Sequence, residues 1–296
     1  IQEQNKLTDE LKEKLINASS LSELEDIYLP YRPKRKTKAS IAIAKGLEPL
    51  AKIILAQNKS DINMEAEKFI DQEKGVESLE DAISGARDII AEIVNENQNV
   101  RKPLRELFMK ESVIRSRNIK GKEKEGENYK NYFEWEEKLS KAPSHRILAM
   151  LRGEREEFLR INIFPSEEKA MEILVRIYIK AQNESSQQLM IALKDSYKRL
   201  LAPSLETEVR NSFKEKADAE AIRVFAENLR QLLLTPPLGQ KNVLAIDPGF
   251  RTGCKLVCLD KQGKLLHNET IYPHPPENEV KQAVNKIQSL VNAYKI

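Results

Sequence analysis

A long, mainly α-helical region, followed by the opening strands and first helix of an α/β domain, is the architecture this sequence predicts. Three observations carry that expectation. Apolar residues recur at helical spacing through most of residues 2–234. The segment Thr235-Pro236-Pro237-Leu238-Gly239 then forbids helix continuation. Beyond it the texture changes to short apolar runs closed by turn residues. The expected boundaries are therefore a helical region over 1–234, a linker over 235–240 and the start of an α/β domain over 241–296. A length of 296 residues suits one large domain or two of ordinary size.

Taken in order, the first residues already read as the interior of a charged helix. Helical stripes run through Leu79–Val94 and Ala170–Ile179. The clearest joins Val209, Phe213, Ala217, Ala221, Val224, Phe225, Leu229 and Leu232. Val113–Ile119 and Phe158–Ile163 interrupt the helices as strands. Lys120–Lys130 is charged, contains glycine and has no apolar period, so it reads as a solvated loop. Trp135, between two glutamates, reads as the packed anchor of a helix pair. After the linker, Val243–Ile246, Cys254–Leu259 and Leu265–Tyr272 are three strands with hairpin connections. Val280, Val284, Ile287, Leu290, Val291 and Tyr294 then keep a helical period to the last residue. With Ile1 in place of a start methionine, the expectation is a piece cut inside its second domain.

Composition excludes several classes. The two cysteines, Cys254 and Cys258, lie four apart in one short segment, which excludes a disulfide scaffold and a zinc finger and fits a reducing compartment. Uncharged apolar runs fall far short of the roughly 18 residues that span a bilayer, and the polar N-terminus is not a signal peptide. A soluble, cytoplasmic protein with no membrane partner is expected. With 49 basic against 46 acidic residues, any acidic partner must be met by local clustering.

The sharpest cluster is Tyr31-Arg32-Pro33-Lys34-Arg35-Lys36-Thr37-Lys38, in which five of eight residues are basic and no acid intervenes. Pro30 and Pro33 should keep it extended. An extended basic strip beside an aromatic can track a phosphate backbone, with affinity supplied by counterion release. It can equally be a loop or cap whose charges meet acids on adjoining helices. The candidate nucleic-acid contacts are Arg32, Lys34, Arg35, Lys36 and Lys38. Ala42–Leu47 then places a glycine at a helix end, and Pro49 opens the next helix. A helix-turn-helix uses such a corner, but the second helix is apolar through Ile53, Ile54 and Leu55, which favours packing.

Asp247 has the most catalytic potential, as a carboxylate ending a first strand before Pro248-Gly249. Two-metal hydrolysis needs several converging carboxylates, and only Glu277 and Glu279 are at hand, so the expected role is to accept N–H bonds from its own turn. His145, His267 and His274 lack triad or ligand spacing, and no phosphate-binding glycine loop is present. No cofactor is expected.

Leu21–Arg35 running on to Gly46–Leu50, Pro143-Ser144-His145-Arg146 with Arg152-Gly153-Glu154, Ile246–Gly253 and Thr270–His274 together resemble the bacterial Tex transcription accessory proteins. The resemblance implies a helical N-terminal region with a helix-turn-helix-like element. A YqgF-type ribonuclease-H-like domain, generally regarded as lacking nuclease function, would begin near Lys241. Helix-hairpin-helix modules and an OB-fold RNA-binding domain would lie beyond Ile296. It also implies RNA or DNA, and the transcription machinery, as partners of a non-catalytic factor. The alternatives are a metal-dependent nuclease or resolvase centred on Asp247, and a protein-interaction scaffold whose basic strip meets an acidic partner.

Overall fold

The computed structural model describes residues 1–33, 36–58, 61–249 and 252–296. The chain forms two compact units, Ile1–Val224 and Phe225–Ile296.

The first unit opens on a 3-10 turn, Gln2–Gln4, and not on the predicted charged helix; α1 (Asp9–Ile16) begins only where the Thr8 side chain caps the Leu11 N–H. Ser20 caps α2 (Leu21–Tyr28) in the same way. Thr37 and Ser40 form a reciprocal capping box at the start of α3 (Lys38–Ala44). Gly46, at φ +84°, turns the chain into α4 (Glu48–Ala56), where Pro49 occupies the first turn. Asp61 caps α5 (Ile62–Glu67), and the Ser78–Asp81 box starts α6 (Leu79–Glu96). The helix α7 (Gln98–Glu111) follows directly from the Asn97 cap.

Beyond α7 come β1 (Val113–Asn118), β2 (Glu134–Lys138), α8 (Ser144–Arg155) and β3 (Leu159–Phe164). The three strands form an antiparallel sheet in the order β2-β1-β3. Ile114, Ile161 and Ile163 point from it into the core, as the alternation of a half-buried sheet requires. The open edge of β3 is closed by side chains. Glu154 of α8 accepts the Ile161 N–H at 3.1 Å, and Glu206 accepts the Ile163 N–H at 2.8 Å. Arg210 donates to the Ile161 carbonyl at 2.8 Å. These bonds protect an edge that would otherwise offer unpaired backbone groups.

The unit continues through α9 (Glu167–Tyr178), α10 (Glu184–Asp195) and the part of α11 (Ala202–Leu233) up to Val224. Ser196–Leu201, between the last two helices, is π-helical. Pro203 follows at once and has no N–H to give the preceding turn, which accounts for the widening there. The core runs along α6 and α7, where Ala86, Ile90, Val94, Leu104 and Phe108 are fully buried. The helix α4 belongs to it too, with Leu50, Ala51 and Ile54 at 0% exposure. Gly85 lets α4 approach α6, since a Cβ there would lie 2.3 Å from Leu47 Cδ1.

Two sequence expectations need correction. The strand β2 was not foreseen, and Trp135 lies in it instead of anchoring a helix pair. Its ring meets Tyr132 edge-on at 6.4 Å, Arg146 lies 4.8 Å over it, and its N–H donates to Glu137. The Lys120–Lys130 loop is also more ordered than a bare solvated loop. A 3-10 helix occupies Glu127–Tyr132, and Tyr129 stacks on Phe158 at 5.8 Å.

In the second unit, β4 (Val243–Asp247), β5 (Cys254–Leu259) and β6 (Leu265–Ile271) form an antiparallel sheet in chain order. The helix α12 (Val280–Tyr294) lays Ala283 and Leu290 on the face carrying Leu256, Cys258 and Ile271. Asn242 donates to the Tyr294 carbonyl at 2.8 Å, tying the strand entry to the helix end. Burial pushes the Cys258 thiol up, so it serves as a small apolar residue. The chain between Leu233 and Val243 has no helix or strand. No helix among the described residues is long and apolar enough to cross a membrane.

Candidate nucleic-acid interface

The basic strip joins α2 to α3. Its backbone is not one extended run. Leu29–Tyr31 is a 3-10 turn with Pro30 as its second residue, where the missing N–H has no partner to lose. Arg32 is extended, with φ −62° and ψ 133°, while Lys38 is already the first residue of α3. Lys34 and Arg35 lie outside the described residues. Arg32, Lys36 and Lys38 are exposed, and among the described residues none of the three has an ion-pair partner within 4 Å.

Acids stand behind the strip. Thr37 Oγ1 donates to Glu92 of α6 at 2.9 Å, which joins the α3 cap to that helix. Arg32, Thr37, Lys38, Glu92, Glu96 and Arg199 share one shallow cavity. Arg199 bridges Asp195 at 2.5 Å and Asp88 at 3.2 Å. Burial pushes the Asp88 carboxyl above the ordinary carboxylate range, and Lys38 and Arg199 pull it back down. The strip's bases Arg32, Lys36 and Lys38 thus face solvent, with acids of α6 and α10 standing behind them.

The corner that follows presents little to a groove. Its second helix, α4, buries Leu50, Ala51 and Ile54, while Ile53 and Leu55 are half-buried.

A second charged cluster, in residues that no local sequence motif marks, lies beside Arg32. Asp26 of α2 is buried at 5% exposure and pairs with Arg101 at 2.6 Å and Arg105 at 2.8 Å, both from α7. Arg105 also reaches Glu208 of α11 at 2.5 Å, and Arg101 donates to Ser204 at 3.1 Å. Burial works against the charge on Arg105, but the hydrogen bonds it donates to Glu208 and Asp26, with their negative charges, outweigh that and push the guanidinium up. The cluster lines a cavity of about 710 Å³ together with Arg32. A readable signal existed: Arg101 and Arg105 are one turn apart on the face that carries the buried Leu104 and Phe108, so acids had to come from another element.

Asp247 closes β4, opposite Lys255 of β5, and is exposed. Among the described residues its carboxylate accepts no hydrogen bond, so the expected bonds from its own turn are not seen; Phe250 and Arg251 lie outside them. Glu279 caps the start of α12 through its backbone, its N–H donating to the Tyr272 carbonyl at 2.8 Å, and Glu277 is exposed in the preceding turn. No group of three or more His, Cys, Asp and Glu able to hold a metal occurs among the described residues.

Comparison with known proteins places this geometry. Residues 57–225 match the family model described as Tex central region-like, and residues 241–296 match the Tex protein YqgF-like domain. The chain belongs to the Tex family. It is 44% identical to a Bacillus subtilis (strain 168) protein, YdcI, over all of this chain and 42% of that protein. It is 36% identical to Protein tex of Bordetella pertussis, over all of this chain and 39% of the relative. It is 36% identical to the transcriptional accessory protein Tex of Neisseria gonorrhoeae, over 94% of this chain and 37% of that one. The chain therefore spans about two fifths of the length of these Tex relatives. The two matched segments leave the basic strip outside both models, so its role has to be argued from geometry.

Proposed function

We propose that this Tex-family chain is a non-catalytic, nucleic-acid-binding scaffold of a transcription accessory factor. The observation that carries the reading is the outer layer of the strip: among the described residues Arg32, Lys36 and Lys38 are exposed without ion-pair partners, beside the fully paired Asp26–Arg101–Arg105–Glu208 cluster. Such bases gain by displacing counterions from a phosphate backbone. The name of the Neisseria gonorrhoeae relative, transcriptional accessory protein, supports the setting. The isolation of Asp247 supports the non-catalytic part, because phosphodiester hydrolysis by two metals needs converging ligands. The hairpin order of β4, β5 and β6 with α12 on one face suits the opening of a ribonuclease-H-like domain. The αα-corner at Gly46 serves packing in this reading, not base recognition.

The test incubates the chain with labelled single strands, RNA–DNA hybrids and four-way junctions in magnesium or manganese. Retention of the nucleic acid without cleavage is expected, and unchanged retention by Asp247→Asn. Cleavage that disappears in Asp247→Asn would replace this reading with a nuclease. The helical region to residue 234 and the segment from 241 are inferred to fold separately. Limited proteolysis should then cut between Leu234 and Asn242 before the long helices. Loss of cooperative melting after removal of everything beyond Pro237 would contradict that division.

A further inference from the structure

We propose that the exposed face of the β2-β1-β3 sheet is a second contact for a single-stranded nucleic acid, with Arg117 and Arg160 gripping its phosphates. This deepens the nucleic-acid-binding reading and rests on it. The two residues are 43 apart in sequence, by 160 − 117, and the antiparallel register of β1 and β3 places them directly opposite each other. Opposed residues share a face, with side chains close enough to interact. Both are exposed, and among the described residues neither guanidinium has a hydrogen-bond or ion-pair partner. Glu134 lies across from Arg117 on β2 without an ion pair between them.

Directly opposed like charges weaken a strand pair, so the pairing of Arg117 with Arg160 adds nothing to the fold. The neighbouring row shows what a structural arginine does here: Arg115 pairs with Glu136 at 2.5 Å and lies 4.7 Å over the Phe164 ring. Arg117 and Arg160 have no such use. Two adjacent guanidinium forks, with the exposed Asn162 amide beside them, match the bidentate demands of phosphate oxygens better than isolated lysines would. A face of this kind, on a sheet backed by a full core, is rigid before the ligand arrives, which limits the entropy lost on binding.

The experiment measures binding of a labelled oligo(U) RNA to the whole chain by fluorescence anisotropy across a salt series, with melting followed on the same samples. Arg117→Ala/Arg160→Ala should reduce the steepness of log K against log salt by about 1.4, that is about 0.7 for each lost phosphate contact. Arg160→Lys keeps the charge and should keep the slope while losing affinity. Arg160→Glu should bind more weakly yet melt about 2 °C higher, because it exchanges a repulsive pair for an attractive one. An unchanged slope in the double alanine variant, with a flattened slope in an Arg32→Ala/Lys36→Ala/Lys38→Ala variant, overturns this inference alone. Absence of binding by the unaltered chain overturns both it and the wider reading. Competition by polyglutamate as effective as that by unlabelled RNA would assign the face to an acidic protein instead, and so overturn it.

Discussion

Two charged regions of the first unit stand close in the fold and do opposite things with their charge. In the Asp26–Arg101–Arg105–Glu208 cluster every charge is answered, at 2.5 to 2.8 Å and mostly out of water. On the strip, Arg32, Lys36 and Lys38 face solvent with no such answer. The first set joins α2, α7 and α11, and its worth lies in the fold. The second contributes little to the fold and is available to a partner. Satisfied charge marks architecture, and unsatisfied charge marks where to look for binding.

The sharpest way to break this contrast is Asp26→Ala. It leaves two arginines facing each other in a largely buried space, and loss of one partner from a buried pair costs about 3–5 kcal/mol. A urea titration should show the midpoint falling accordingly. If Asp26→Ala melts like the parent chain, the cluster is not architectural. Glu206→Ala should cost less, about 1–3 kcal/mol, because it strands the buried Ile163 N–H on the edge of β3. Hydrogen exchange at that amide should rise with it, and an unchanged exchange rate would mean that water or another group takes over.

The smallest effect probes the boundary between the two regions. Lys38→Ala removes a charge that holds the Asp88 carboxyl down, so its pKa, already raised by burial, should rise further. A carboxyl whose folded pKa exceeds its unfolded value binds its proton more tightly when folded. Its cost to stability is therefore absent at low pH and appears as pH rises through the carboxylate range. The variant should lose slightly more stability over that rise than the parent, and side-chain NMR titration of Asp88 would show the shift. An unchanged titration would mean that Lys38 does not act on Asp88.

Much of this was legible in the sequence, for reasons that individual residues make plain. Leu79–Val94 has a strong apolar period and a Ser78–Asp81 cap, so α6 could hardly be missed. The three strands after the linker were bounded by Asp247-Pro248-Gly249 and Asp260–Gly263, and their limits agree with the structure to within about a residue. By contrast, β2 has one apolar residue in Glu134-Trp135-Glu136-Glu137-Lys138, so no period of two shows in apolar residues. The 3-10 turn at Leu29–Tyr31 was hidden because Pro30 both opens short helices and breaks long ones. The long stripe over Val209–Leu232 was read correctly as helix, but its burial was not: Val209 and Ala217 are buried, whereas Phe225 and Leu232 are 67% and 71% exposed. Within the candidate site, the run of bases was plain. The acids behind it, Asp88, Glu92 and Glu96, are brought there only by the packing of α3 against α6, and local sequence carries no sign of that.

The claim that unsatisfied charge on the strip binds nucleic acid is tested most directly by one salt titration. The chain and its Arg32→Ala/Lys36→Ala/Lys38→Ala variant are each titrated with single-stranded RNA across a range of ionic strengths, and log K is plotted against log salt. The account predicts that the variant's slope is shallower by about 2, three contacts at about 0.7 each, with only a small change in melting temperature. Equal slopes for the two proteins would contradict it.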